Sequence, residues 1–316
     1  MQEDKNFSFK VYKKDHKHQI IRLFKKIFKI NLNANNWNWK FKKNPNGKNK
    51  IVLVFFKNKL IGHCAAIKMR FQYSAKKKFF YRIQNFMVDK EYREKKIATK
   101  TLDFLISKIV KDKGHIITFP NRDISTKIFS KNSYRKIFHI FTYEKLLKKK
   151  HSIQKKFSLK NSSIVKITNN DMKLINECLQ KYKVLNLRSK NYLNWRYSIN
   201  FGNYKISRIF FNKQMIGIII SKFYSRDNSI CICEIFYKKG NENFKSLINS
   251  AVVNFIKNNP KKIKIWTMSH FSMHRNLLDL GFKKINFKTN VCTYKNLPKD
   301  NLLKKMYLSM GDSDIY

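Results

Sequence analysis

The feature that most constrains the fold of this chain is an internal repeat. The tetrapeptide Asn-Trp-Lys-Phe around Trp39 recurs as Asn-Trp-Arg-Tyr around Trp195, at an offset of 156 residues (195 − 39). Further along, Leu-Ile-Gly ending at Gly62 recurs as Met-Ile-Gly ending at Gly217, at an offset of 155 residues (217 − 62). Two matches at nearly the same offset indicate a duplicated structural unit.

A third match falls late in each half and keeps the same order. Ser-Tyr-Arg-Lys-Ile from Ser133 recurs as Gly-Phe-Lys-Lys-Ile from Gly281, at an offset of 148 residues (281 − 133). A length of 316 residues leaves room for two domains of ordinary size. We therefore predict two similar domains, over residues 1–148 and 149–316.

Each half reads as alternating strands and helices. In the first half, three apolar runs predict strands at 51–56, 60–69 and 80–88. Apolar residues at 3.6-residue spacing from Ile97 to Ile109 predict an amphipathic helix, which precedes a short buried strand at 116–119. The second half repeats this course, with strands near 205–211, 215–223 and 230–237 and a helix at 243–257. We expect two α/β units.

The chain is strongly basic, with 69 Lys and Arg against 19 Asp and Glu and a formal net charge of +50. Such a charge suits nucleic acid, anionic lipid or another polyanion. The cations are mostly Lys, accompany many Asn and Ile, and are spread along the whole chain, so biased codon usage explains them at least as well. Nucleic acid is therefore a candidate partner that the sequence does not favour.

Cysteine number and the chain ends bear on the compartment. Five cysteines, without a Cys-x-x-Cys pair, predict neither a disulfide framework nor a zinc site, and we expect no metal: Cys64, Cys178, Cys231, Cys233 and Cys292. The first residues lack the pattern of a signal peptide, and no run is apolar enough for a transmembrane segment. We expect a cytoplasmic protein and leave open attachment to the inner membrane surface.

The segment that follows the predicted strand at 80–88 has the character of a phosphate seat. It runs from Asp89 to Ala98 and leads directly into the predicted amphipathic helix. The first backbone amides of a helix have no partner within it, and the helix dipole adds partial positive charge there, so an anion fits. Arg93, Lys95 and Lys96 would strengthen that field.

These residues resemble the acyl-CoA-binding motif of the GNAT acyltransferase superfamily. The matching positions are Val88, Tyr92, Arg93, Ile97 and Ala98, whereas Lys96 stands where the family usually has Gly. The resemblance implies two tandem GNAT-like domains, each a mixed, mostly antiparallel sheet flanked by helices. It also implies acyl-CoA as the donor, bound by Met87, Val88, Arg93, Lys95, Lys96, Ile97, Ala98 and Asn121.

The second half resembles the family in its last helix and strand but lacks the acyl-CoA-binding motif. Leu280-Gly281-Phe282 is similar to the family's closing helix-to-strand signature, while the stretch after Phe236 does not form the pyrophosphate motif. One acyl-CoA site, in the first half, is expected. The Trp repeats and the tail after Tyr307 are similar to tandem-domain bacterial GNAT proteins associated with surface-polysaccharide biosynthesis.

Transfer from a thioester to an amine requires orientation, a proton acceptor and stabilisation of the oxyanion, but no covalent nucleophile. Asp89 is the nearest carboxylate and Asn85 could hold a water molecule, so both are catalytic candidates; a solvated strand-end role for Asp89 stays open. The helix Tyr with which the family often protonates the thiolate is missing, because Phe129 occupies its position.

Four residues are candidates for contact with the acceptor. Trp39 could stack on a sugar ring or anchor the fold, and His63 could face the substrate or be a buried histidine. Asp312 and Asp314, in the acidic tail, could bind a cationic acceptor or belong to a frayed terminus.

The sequence thus predicts an N-acyltransferase that moves an acetyl or other acyl group from acyl-CoA to an amine. The resemblance favours an amino sugar of surface-glycan biosynthesis as the acceptor. This amino sugar would be either linked to a nucleotide or part of a glycan precursor. Two alternatives stay open: a Fem-type aminoacyl transferase that uses aminoacyl-tRNA, and a non-catalytic GNAT-like protein that binds polyanions.

Overall fold

The chain divides into two compact units. A computed structural model describes residues 6–29, 31–32, 34–93, 96–120, 123–131, 133–147, 154–198, 202–268, 271, 273–297 and 301–313. The first unit comprises Met1–Phe138 and Asn290–Asp300, and the second comprises His139–Thr289 and Asn301–Tyr316. Each unit therefore contains a segment from the opposite half of the sequence.

The first unit is a mixed sheet with helices. Its elements are β1 (Phe7–Val11), α1 (Lys17–Phe28), α2 (Ala34–Lys42), β2 (Lys50–Phe56), β3 (Lys59–Tyr73), β4 (Lys76–Val88), α3 (Ile97–Lys111), β5 (His115–Thr118), α4 (Asp123–Lys131) and the start of β6 (Tyr134–Leu146). Strands β1 to β4 pair antiparallel in sequence order, and β5 pairs parallel with β4. The sheet is thus mostly antiparallel, as predicted.

The second unit repeats that element order, with one extra strand between its first two helices and a short extra helix at its end. It contains β7 (Ser158–Ser162), α5 (Asn169–Leu179), β8 (Val184–Asn186), α6 (Lys190–Arg196), β9 (Tyr204–Phe211), β10 (Gln214–Tyr224), β11 (Ser229–Tyr237), α7 (Asn241–Asn254), β12 (Lys262–Thr267), α8 (Met273–Asp279), the start of β13 (Lys283–Tyr294) and α9 (Asn301–Lys304). Strands β7, β9, β10 and β11 pair antiparallel, and β12 pairs parallel with β11.

The last strand of each half is exchanged. In the first unit, Cys292 and Thr293 of β13 pair antiparallel with Thr118 and Ile117 of β5. In the second unit, residues 141–146 of β6 pair antiparallel with β12. The unit boundary at residue 138 therefore differs from the boundary predicted at 148, because the end of β6 completes the second sheet.

The core of the first unit explains why its amphipathic helix forms where the spacing predicts. Leu102, Leu105 and Ile109 of α3 are fully buried against Cys64 of β3 and Tyr81 of β4. With 15 residues, α3 is the longest described helix. Across the described ranges, no helix is both long and apolar enough to cross a membrane.

Candidate functional site

Strand β4 runs past the end of its neighbour β5. The two strands pair in parallel as far as Arg82, which lies opposite Ile117. β5 ends at Thr118, whereas β4 continues to Val88. Residues 83–88 therefore extend beyond this pairing, and the sheet of the first unit opens beside them.

A β-bulge interrupts β4 inside this open stretch. On β3, His63 pairs with Met87 while Ala65 pairs with Gln84, so β4 contains an extra residue between these pairs. Asn85, at the bulge, has a positive φ of 50°. Its carbonyl oxygen lies 2.7 Å from Nδ1 of His63. At the bulge, the carbonyl group of Asn85 therefore leaves the hydrogen-bond ladder of the sheet and contacts the His63 side chain instead.

The N-terminus of α3 follows the open strand. Lys96 is its N-cap residue, and among the described residues no side chain caps the helix and no acid lies in its first turn. The amides of Ile97 and Ala98 therefore lie in the positive end of an uncapped helix. Arg93 donates from Nε to the carbonyl oxygen of Val88, over 3.1 Å. An uncapped helix end of this kind favours an anionic group.

The residue that departs from the family motif keeps the backbone conformation that glycine favours. Lys96 is left-handed, with φ 54° and ψ 15°. A residue with a Cβ reaches this region at a cost of about 1–2 kcal/mol, whereas glycine adopts it freely. The chain therefore enters α3 through the same left-handed backbone conformation that a glycine would adopt, although residue 96 is Lys.

Lys96→Gly is expected to raise the free energy of unfolding by about 1 kcal/mol, because the left-handed cost disappears. Urea denaturation measures this change. Lys100→Gly is the matched control: Lys100 lies inside α3 and is exposed, so there the same replacement should cost about 1 kcal/mol. Equal destabilisation by both variants would contradict a left-handed Lys96.

The carboxylate of Asp89 is held by an ion pair. Its Oδ2 lies 2.6 Å from Nζ of Lys26 on α1, and the residue is 1% exposed. Lys26 also reaches Glu91 at 3.1 Å. The Asp89 amide donates to the carbonyl oxygen of Ile61 over 2.8 Å. Asp89 is therefore not the solvated strand-end residue that the sequence left open, and its catalytic role stays a prediction.

A polar cluster lies on the sheet face opposite α3. Cys64 and Ile83 pack in the α3 core, so the alternation of side chains along a strand places His63, Arg82 and Gln84 on the other face. Nη2 of Arg82 donates to Oε1 of Gln84 over 3.0 Å. In the part of the chain that the structure describes, His63 Nε2 and Gln84 Nε2 are buried without hydrogen-bond partners.

His63 is a fully buried, neutral imidazole beside the rings of Trp37 and Phe41. Because the carbonyl of Asn85 can only accept, Nδ1 carries the proton and Nε2 is left as an acceptor. Burial lowers the pKa of His63 to about 4, with a smaller lowering from Lys40. A buried acceptor without a partner is a group that a ligand can satisfy.

The low pKa of His63 predicts a loss of stability in acid. The unfolded imidazole, with a pKa near 6.5, binds a proton that the folded one does not. Stability should therefore fall as pH drops from 6.5 towards 4, by about 2 kcal/mol between pH 7 and pH 5. Urea denaturation at both pH values measures it. His63→Gln should remove this part of the difference, and the exposed control His18→Gln should not.

Two residues predicted to contact the acceptor, Trp39 and Asp312, are buried in the protein. Trp39 lies in α2 and is 6% exposed, which agrees with an anchor and not with stacking on a sugar. Asp312 is fully buried in the second unit, where it accepts from Asn186, Arg188 and the amide of Ser309. A carboxylate so enclosed does not meet an acceptor, and this expectation is corrected.

The structure brings together most of the predicted donor residues. Val88 and Ile97 pack in one cluster next to Ala98, and Met87 lies on the opposite face beside His63. Lys95, Asn121 and Asp314 lie outside the described residues, so their predicted contacts remain predictions.

Two residues of the candidate site, Lys26 and Arg82, were not predicted from the sequence. Lys26 is one of many lysines, and nothing in its neighbourhood on the chain points to Asp89, 63 residues away. Arg82 lies two residues before Gln84, a spacing that places both on one strand face. That spacing was the available signal.

Residues 18–131 match the sequence model described as the acetyltransferase (GNAT) family. Similar solved structures include a GCN5-related N-acetyltransferase from Anabaena variabilis (TM-score 0.67, 12% identity, 91% of this chain and 72% of that chain). A GCN5-related N-acetyltransferase from Kribbella flavida is similar at TM-score 0.63 and 8% identity, over 92% of this chain and 72% of that chain.

A third similar structure is Saccharomyces cerevisiae N-myristoyltransferase with bound myristoyl-CoA (TM-score 0.62, 12% identity, 93% of this chain and 84% of that chain). Identities this low establish a shared fold alone. No curated protein matches the sequence. The predicted fold class, a mixed and mostly antiparallel α/β fold with flanking helices, is confirmed.

Proposed function

We propose, since residues 18–131 match the sequence model of the acetyltransferase (GNAT) family, that this protein is an N-acyltransferase that moves an acyl group from acyl-CoA to an amine. The observation that carries the proposal is the passage from β4 to α3. There β4 extends beyond its parallel neighbour β5, and within a few residues the chain enters α3, an uncapped helix. An extended donor with a pyrophosphate fits such a passage.

The donor seat would lie at the start of α3. The amides of Ile97 and Ala98 would receive the pyrophosphate, with Arg93 and Lys96 adding positive charge. The left-handed conformation of Lys96 supports a seat that is retained in spite of its departure from the motif. In this proposal Lys95 and Asn121 complete the donor contacts.

The second half would carry no donor seat. The equivalent helix α7 has Glu242 in its first turn, whereas α3 has no acid there. A carboxylate at that position repels a pyrophosphate, because both are anionic. We propose one acyl-CoA site per chain, in a GNAT domain formed by the first half and followed by a GNAT-like domain without the pyrophosphate motif.

In the transfer, the amine nitrogen bonds to the thioester carbonyl carbon, the carbon–sulfur bond breaks, and the thiolate takes up a proton. Met87 and Val88, at the end of β4, would lie beside the thioester. His63 Nε2 would accept a hydrogen bond from the acceptor and position it, since a group with a pKa of about 4 is a poor proton acceptor. Asn85 and Asp89 would hold the water that carries the ammonium proton away.

The proposed acceptor is the amine of an amino sugar, nucleotide-linked or part of a surface-glycan precursor. Gln84, Asn85 and His63 support this choice. Their uncharged donors and acceptors suit hydroxyl groups and an amine better than a strongly charged substrate. An amino sugar also requires the few directional contacts that such a cluster offers.

Ala98→Glu is expected to abolish acetyl-CoA binding and acyl transfer, because it introduces a carboxylate where the pyrophosphate would lie. Calorimetry with acetyl-CoA measures binding, and release of the CoA thiol in the presence of glucosamine or another amino sugar measures transfer.

The matched control is Ser107→Glu, which adds the same carboxylate at an exposed position further along α3. It should bind acetyl-CoA like the wild type. Undiminished binding by a folded Ala98→Glu protein would place the donor elsewhere and refute the proposed seat.

A further inference from the structure

Helix α1 has an apolar stripe that the core of the first unit leaves partly uncovered. The stripe consists of Ile21, Phe24 and Phe28, at the spacing i, i+3 and i+7 that places residues on one helix face. It lies next to Ile20 and Leu23, which are buried in the core. Ile21 and Phe24 are half-buried, and Phe28 is 41% exposed. The apolar surface of α1 therefore continues beyond the protein core and reaches solvent.

A cationic stripe adjoins the apolar stripe on its solvent side. Its members are all exposed and are spaced i, i+4, i+7 and i+11: His18, Arg22, Lys25 and Lys29. The helix sequence from Lys17 to Phe28 contains neither Asp nor Glu. In the turn before the helix, Lys13 and Lys14 outnumber Asp15. The exposed side of α1 therefore carries a net positive charge beside an apolar surface.

An anionic lipid bilayer offers a partner to both stripes at once. A helix at the bilayer surface buries apolar side chains at the level of the headgroups, while Lys and Arg extend to the lipid phosphates. RNA would contact the cations but would leave Ile21 and Phe28 in water. A stable interface with another protein needs roughly 20–30 residues a side, more than the two stripes supply. The combination thus favours lipid.

We propose that α1 binds the surface of an anionic lipid bilayer, with the apolar stripe at the headgroup level and the cationic stripe beside the lipid phosphates. Lys26, on the other side of the helix, pairs with Asp89 at the end of β4. The last turn of α1 therefore lies beside the open end of the first sheet. The inference does not depend on the proposed transfer activity, because it requires neither acyl-CoA nor an acceptor.

The test is cosedimentation of the full chain with vesicles of equal parts phosphatidylglycerol and phosphatidylcholine, compared with vesicles of phosphatidylcholine alone. The protein should bind the neutral vesicles at least about tenfold more weakly, because each basic residue near an anionic bilayer strengthens binding about fivefold. Equal binding to both would overturn the inference. The chain has a net charge of +50, so variants are needed to locate the contact.

Paired charge variants locate the contact. Arg22→Gln combined with Lys25→Gln removes two cations from α1 and should weaken binding to the anionic vesicles at least about tenfold. Lys108→Gln combined with Lys111→Gln removes two cations from the last turn of α3. This control should lose less than about threefold, because salt screens charges that lie more than about 10 Å from the contact. Equal losses would indicate attraction by the whole chain and would overturn the inference.

Phe28→Gln tests the apolar stripe. It removes an exposed ring and should weaken binding to the anionic vesicles about threefold to tenfold. Phe79→Gln is the matched control, since Phe79 of β4 is 42% exposed, and this variant should bind like the wild type. If Phe28→Gln also bound like the wild type, the contact would depend on charge alone and the inference would be wrong.

Two further measurements separate this surface from other anion sites. Ala98→Glu should bind the anionic vesicles like the wild type, whether or not it binds acetyl-CoA, and a loss would place the lipid phosphate at the proposed donor seat and refute the inference. The double variant of Arg22 and Lys25 should lose less affinity for tRNA than for vesicles. A larger loss for tRNA would make α1 a nucleic-acid surface instead.

Discussion

A chain that ends after residue 148 is expected neither to fold nor to bind acetyl-CoA. The first sheet would lose Cys292 and Thr293, which pair with β5. It would also lose Val291 and Leu297, both fully buried. Burial of one such side chain stabilises by about 1.5–3 kcal/mol, and whole domains are stable by only about 5–15 kcal/mol.

The truncated chain would also expose a strand that belongs to the other unit. Ile140 and Tyr143 of β6 are buried in the intact protein, and the partner strand β12 is absent from this fragment. Circular dichroism, solubility and calorimetry with acetyl-CoA measure the outcome. The fragment should be aggregated or unfolded.

Coexpression of residues 1–148 with residues 149–316 is the matched control. Both exchanged segments are then present, and we expect the two fragments to copurify and to bind acetyl-CoA. A soluble 1–148 fragment that unfolds cooperatively and binds acetyl-CoA by itself would show that the exchanged strand is dispensable.

Arg188→Met is expected to lower the free energy of unfolding by about 4 kcal/mol, because it leaves two buried carboxylates without their guanidinium. Arg188 pairs with Asp312 and, at 3.3 Å, with Glu234. All three side chains are 1% exposed. Tyr197 donates to Glu234 over 3.0 Å, but a phenol does not offset a negative charge.

The pH dependence distinguishes this loss from a simple packing defect. Burial raises the pKa of Glu234, Arg188 opposes that change and Asp312 adds to it. Without Arg188 the folded Glu234 carboxylate should bind a proton more readily than the unfolded one, so the variant's deficit relative to the wild type should shrink as pH falls. Urea denaturation at pH 7 and pH 5 measures the recovery.

The control for Arg188→Met is Arg226→Met, which makes the same replacement at an exposed arginine of the second unit. It should change the free energy of unfolding by less than about 0.5 kcal/mol. If Arg188→Met lost equally little, the network would contribute no stability. A deficit independent of pH would point to packing instead of charge.

The strands and central helices of both halves could be predicted from the sequence because their patterns are local. The apolar spacing from Ile97 to Ile109 reflects burial of one helix face against a sheet. The strands at 205–211, 215–223 and 230–237 each lie within one residue of the observed bounds at either end. The motif from Val88 to Ala98 is also contiguous, so the proposed donor seat could be suggested without a structure.

The exchange of β6 and β13 could not be predicted, because the two strands are repeat equivalents. Each carries an apolar pattern that fits either sheet edge, and a sequence pattern does not specify the partner of a strand. The ion pair between Lys26 and Asp89 could not be predicted for a related reason. Charge pairing across 63 residues has no periodic signal in a chain with so many lysines.

The candidate site was only half predictable for a further reason. The proposed donor seat depends on one continuous segment, whereas the polar cluster depends on a bulge. Asn85 adopts a positive φ that no glycine marks in the sequence. The resulting contact with His63 therefore appears only when the two strands are paired.

The exchanged strands also determine when the protein can mature during its synthesis. β5 is complete at Thr118, but the residues that pair with it lie in the segment that begins at Asn290, so the first unit waits for 152 residues (290 − 138) beyond its own first segment. At about 5–20 residues per second, the ribosome needs roughly 8–30 s to supply them. During that interval the edge of β5 is exposed to other nascent chains. Newly made protein should therefore depend on chaperones that shield such edges until translation is almost finished.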